Sequence, residues 1–113
     1  MGFQDIELDI SKNIRIIEQQ KCEIVISAGN LLKSLSVGNG NVAIDNALES
    51  LTDIVLFSYI LGKRLGLSIT EIENKLDKKL RLGALNSDNS NIVASDIKEI
   101  IEYRMLQKNK KRV

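Results

Sequence analysis

The sequence predicts an all-α fold of about four helices, and three observations carry that expectation. The chain contains no proline or tryptophan and only 4% aromatic residues, so the turn punctuation and aromatic content of a sheet sandwich are missing. Its apolar residues are dominated by Ile and Leu, which suit plain aliphatic packing between helices. They recur at spacings of three and four, the period of a helix with one buried face. At 113 residues and 43% apolar content, the chain is expected to form one domain that buries roughly two thirds of its unfolded surface.

The first helix is expected over about 10–36. Ile10, Ile14, Ile17, Ile24, Leu31 and Leu35 set its stripe, and Ile16, Val25 and Leu32 widen it. Asp9 or Ser11 offers an N-cap, and VGNGN at 37–41 supplies a break that tolerates left-handed backbone. So short a connection makes the next helix an antiparallel neighbour.

That second helix is expected over about 42–65. Its middle, IVLFSYIL, is apolar on almost every side, so more than one neighbour must cover it. A chain of this size offers few helices for the task, and the second helix is therefore expected to contribute to a homodimer interface. Lys63 and Arg64 suit the negative end of the helix dipole, and Gly66 suits the position after the cap. Ser68-Ile-Thr-Glu71 then has capping-box spacing, followed by Ile72, Leu76 and Leu80, which places a third helix over about 69–83, stopped by Gly83. NSDNSN at 86–91 reads as a polar loop. A fourth helix, carrying Ile97, Ile100, Ile101 and Met105, is expected over about 93–108, before a frayed basic tail, KNKKR, within 108–113.

Composition also removes function classes. Histidine is absent, which excludes Ser-His and Cys-His nucleophile pairs and His-ligated zinc. The lone Cys22 cannot close an intrachain disulfide and reads as a reduced, structural thiol. No signal peptide opens the chain, and the longest apolar run, 54–61, is far short of a membrane span, so a cytoplasmic, membrane-free protein is expected. Residues 1–60 hold four Lys/Arg against eight Asp/Glu, and residues 61–113 hold twelve against seven. The excess is dispersed and no helix-turn-helix spacing is visible, so nucleic acid is not the expected partner, and a small nucleic-acid-binding regulator ranks last. Gly38 and Gly40 lack the strand and the Lys-Ser/Thr of a phosphate loop and read as a turn.

The chemistry-bearing feature is the acid pair Glu49 and Asp53. Four residues apart on an otherwise apolar helix, they share one face, where they can hold a metal ion or meet water. The run LTDIVLFSYILGKRLGLSI at 51–69, with NKLDKKLRLG at 74–83, resembles the MazG-like family of the all-α nucleoside triphosphate pyrophosphohydrolases, and the resemblance spans about 10–83. It implies a helical bundle completed by dimerisation. In the active enzymes of that superfamily, E-x-x-E on one helix and E-x-x-D on the next bind Mg²⁺ and position the attacking water. The matching positions here are Ser27-Ala-Gly-Asn30 and Ser50-Leu-Thr-Asp53.

Only Asp53 keeps its acid, which makes Ser27, Asn30 and Ser50 degenerate motif positions. Neutral oxygens offset Mg²⁺ dehydration poorly, although Glu23 and Glu49, each one turn earlier, can stand in. The family's phosphate-contacting segment falls on Lys75, Lys78, Lys79 and Arg81, with Lys79 where an Asn is usual. The same residues also read as a solvated face paired with Glu71, Glu73 and Asp77. Tyr59 reads as a core or interface residue. The leading expectation is a member of the family that has lost hydrolysis and acts as a dimeric nucleotide- or protein-binding module, with no cofactor. The alternative is an active pyrophosphohydrolase using Glu23, Glu49, Asp53 and Mg²⁺.

Overall fold

The computed structural model of the chain describes residues 3–36, 38, 40–86 and 92–111, with side chains from Asp9 to Lys110 among these. Four helices account for nearly all of them: α1 (Phe3–Ser36), α2 (Asn41–Arg64), α3 (Ile69–Asn86) and α4 (Ile92–Lys111). No strand occurs among the described residues, and the all-α expectation holds. The chain divides into two compact units, Met1–Ile69 and Thr70–Val113.

The first unit is an antiparallel hairpin of α1 and α2. Asn13 Nδ2 donates to the Arg64 carbonyl at 3.0 Å and ties the open end. Most of the half-buried and buried positions of α1 fall on Ile17, Ile24 and Leu31, and on Asn13, Gln20, Ser27 and Ser34, with Ile16, Glu23 and Ala28 half-buried beside them. Both series step by seven residues, the repeat of a two-helix seam. On α2 the matching positions are Ala43, Ala47, Ser50, Ile54, Phe57 and Leu61. The seam of α1 therefore alternates an aliphatic with a polar side chain. Small residues opposite let the helices close: Ala47 and Ser50 are each only 6% exposed.

The ends of α2 follow expectation to within a residue. After Leu65, Gly66 takes φ +94, its N–H bonds the Lys63 carbonyl at 3.1 Å, and the Leu67 N–H reaches back to the Gly62 carbonyl at 3.0 Å. This pair of bonds is the Schellman ending, which needs glycine because its φ is left-handed. The start of α1 differs. The helix runs from Phe3 through Asp9 and Ser11, so neither residue caps it. Cys22 carries a free thiol on the exposed side of α1 rather than in packed interior, because residue 22 falls outside both seam series.

The second unit packs α3 against α4. Helix α3 does not stop at Gly83 but continues to Asn86. Gly83 is instead a point of close approach: a Cβ built there would stand 3.0 Å from Ile97 Cδ1 on α4. Helix α4 likewise runs on through Lys108, Asn109 and Lys110 to Lys111, so most of the expected tail is helical, as lysine's good helix propensity allows. Residues 37, 39 and 87–91, within the expected turn and polar loop, and 112–113 of the expected tail, lie outside the described residues.

Candidate functional site

The heptad geometry gives the hairpin two different flanks. One step past the seam on one side, α1 carries Val25, Leu32 and Leu35, and α2 carries Ile44, Leu48, Leu51 and Val55. All of these are exposed, Val25 and Leu32 to 71%. In an antiparallel pair the corresponding flanking positions of both helices lie on the same side, so these residues form one apolar face. On the opposite flank lie Asn30, Lys33, Asn46, Glu49 and Asp53. They line a cleft of about 660 Å³ whose floor and end include Ser34, Gly40, Asn41, Val42, Ala43 and Ser50. A cleft of this volume falls in the range that holds small ligands.

The cleft gathers four of the residues singled out by the sequence: Asn30, Ser50, Glu49 and Asp53. Glu49 is exposed and Asp53 half-buried on the same wall, as two acids one turn apart must be. Two others are not part of its lining. Glu23 is half-buried, two turns before Asn30 on α1. Ser27 is buried in the helix seam, 4% exposed. Fourteen residues on from Asn13 and fourteen back from Arg64, Ser27 and Ser50 sit level across the seam in the register those two residues fix. Among the described residues no group of three or more Cys, Asp and Glu is placed to hold a metal ion. The donor set on the cleft wall is two carboxylates with neutral oxygens from Asn30 and Ser50. Mg²⁺ is commonly held by one or two carboxylates when substrate phosphates and water complete its octahedron.

Lys33 and Asn46 are cleft residues that sequence spacing did not single out. The signal was present, since both fall in the same heptad flank as Asp53, but it becomes readable only once the α1–α2 register is known. Tyr59 is half-buried on α2, away from the cleft lining.

The basic residues Lys75, Lys78, Lys79 and Arg81 are exposed on α3. Two of their expected partners on the same helix, Glu73 and Asp77, are engaged by α4. Arg104 of α4 places Nη2 2.7 Å from Glu73 Oε2 and Nε 2.7 Å from Asp77 Oδ1, and Nη2 also donates to the Glu73 carbonyl at 3.3 Å. Lys108 Nζ reaches Asp77 Oδ2 at 2.6 Å. Hydrogen bonds from Arg104, then from Lys108, hold the Asp77 carboxyl down to about 2. The same Asp77 bond raises the Arg104 guanidinium above its ordinary value. A smaller cleft of about 260 Å³ beside this network is lined by Arg81, Arg104, Lys108 and the apolar Leu80, Ile101 and Met105. No helix among the described residues is long and apolar enough to cross a membrane.

The family model described as MazG-like matches residues 10–97. No curated protein and no solved structure matches the chain.

Proposed function

Because the chain belongs to the MazG-like family, we propose that it is a nucleotide-binding module of the cytoplasm that has given up pyrophosphate hydrolysis and works as a homodimer. The observation that carries this reading is the burial of Ser27 and Ser50, at 4% and 6% exposure. These are two of the three positions where the family resemblance expects metal-binding acids and finds none. A serine hydroxyl supplies none of the charge that offsets Mg²⁺ dehydration, and Ser27 lies outside the cleft lining altogether. The cleft remains, with Asn30, Asn46, Glu49 and Asp53 as a polar wall suited to a nucleotide's sugar and base edges. The apolar face formed by Val25, Leu32, Leu48 and Val55 supports association, because a contiguous exposed face of this kind is costly in water.

Two measurements test the proposal. Incubation with the ribo- and deoxynucleoside triphosphates and Mg²⁺ is expected to release no pyrophosphate. Magnesium-dependent release that Asp53→Ala abolishes overturns the loss of hydrolysis. Light scattering at micromolar concentration is expected to give about twice the 12.6 kDa chain mass, and a monomeric mass sinks the dimer.

One observation favours the second reading, an active pyrophosphohydrolase: Glu49 and Asp53 do share the cleft wall. In that case these two carboxylates hold Mg²⁺, which polarises the phosphoryl oxygens. The reading lacks a third acid in the lining, and calorimetry that finds no Mg²⁺ binding at millimolar concentration removes it.

A further inference from the structure

We infer that the apolar flank of the hairpin is covered by the same flank of a second copy of the chain, and that folding and pairing are one event, with no stable folded monomer. The inference rests on the homodimer reading above and adds to it the surface and the coupling to folding. Neither unit holds an aliphatic core of its own. The buried positions among the hairpin's described residues are Gln20, Ser27, Ala47, Ser50 and Gly62, so what the seam encloses is small or polar. Those of the second unit are Leu80 and Ala94, and no large side chain among the described residues is fully buried.

Surface area gives the size of the deficit. A folded monomer of 12.6 kDa presents about 6,200 Å² to water, whereas this chain presents 9290 Å². The excess is about 3,000 Å², and an obligate dimer covers about 1,000–2,500 Å² or more on each partner. A lone chain therefore leaves much of its hydrophobic stabilisation unrealised while losing the full conformational entropy of ordered helices. Chains in that position have no stable folded monomer.

The uncovered aliphatic residues lie together. Val25 and Leu32 of α1 and Leu48, Leu51 and Val55 of α2 are 50–71% exposed and stand one step beyond the seam, turned away from the hairpin mate. A cover for both helices must be two helices wide. The same flank of another hairpin meets that need, and the resulting four-helix arrangement gives each helix two neighbours. A two-fold pairing sets each residue of the patch against residues of the same patch, so a charged flank would repel its own copy. This flank is neutral: the charged residues at its positions are Glu18 and Lys21, paired with each other at 3.0 Å.

The test follows urea unfolding of the full chain by circular dichroism at two chain concentrations about a hundredfold apart, with light scattering on the same samples. The expected mass is about twice 12.6 kDa. Apparent stability is expected to rise with the hundredfold step by about 2.8 kcal/mol, which moves the urea midpoint up by roughly 1–2 M. Leu48→Glu is expected to need at least about a hundredfold more chain to reach the same helix content. It should regain that content on concentration, which a merely misfolded chain does not. Leu56→Glu lies seven residues on from Glu49 on the opposite flank, 51% exposed, and is expected to keep the wild-type mass and midpoint. A dimer whose midpoint ignores concentration overturns the coupling to folding and leaves the homodimer standing. A fully helical monomer overturns both. Dissociation by Leu56→Glu in place of Leu48→Glu overturns the choice of flank.

Discussion

The two units hold their helices together by opposite means. In the hairpin, α1 and α2 close on small and polar seam residues, Ala47, Ser27 and Ser50, with one side chain to backbone bond at the open end, from Asn13 to Arg64. Among the described residues its one ion pair is Lys21–Glu18, exposed and within one helix. In the second unit, one guanidinium on α4 bridges two carboxylates on α3, with side chains 17%, 18% and 35% exposed. The hairpin is thus set by steric fit and the second unit by charge. Fit resists salt and pH but punishes a change of volume, whereas charge does the reverse.

The sharpest break between them should come from volume. Ser50→Leu, which forces a large side chain into the seam, is expected to cost about 3 kcal/mol in urea denaturation, the upper end for overpacking. Next comes Arg104→Ala, which strands Asp77 and Glu73. Its expected cost is about 2 kcal/mol, less than for a fully buried pair because these groups keep partial contact with water. Salt should narrow this loss and leave that of Ser50→Leu untouched.

Acid should single out the second unit as well. Asp77 is depressed from 3.8 to about 2, so its contribution is fully present above pH 4 and is lost as pH falls from 4 through 2. Stability is expected to drop by about 1–2 kcal/mol over that window, and Arg104→Gln should flatten this component of a pH series of urea melts. A gain is expected in the hairpin from Gln20→Leu. The Gln20 Oε1 is buried without a partner, so replacing the amide should stabilise by about 1 kcal/mol. Gly83→Ala should matter least, within about 1 kcal/mol of wild type by thermal melting. The helix-propensity gain of alanine is offset by pushing aside the flexible tip of Ile97.

Element number, order and the limits of α2 were legible in the sequence, because apolar spacing and the Gly66 ending are local signals. The early start of α1 was hidden, since a helix needs no capping residue to extend and Asp9 and Ser11 read as caps only if it stops there. Gly83 misled because a glycine that permits close approach looks the same in sequence as one that ends a helix. In the site, the shared face of Glu49 and Asp53 follows from helical spacing alone. That Ser27 and Ser50 sit in the seam while Asn30 and Lys33 line the cleft depends on how α1 rotates against α2. The contact that fixes this joins residues 51 positions apart, beyond the reach of a periodicity argument.

The level placement of Ser27 and Ser50 across the hairpin also sets how many substitutions separate this chain from a four-acid site. At 4% and 6% exposure, a glutamate placed at either position alone would bury an uncompensated carboxylate, destabilising the fold by several kcal/mol before any metal could offset it. Hydrolytic capacity of the four-acid kind is therefore not one substitution away. It requires coordinated change on both helices, because each added carboxylate needs a compensating partner across the seam.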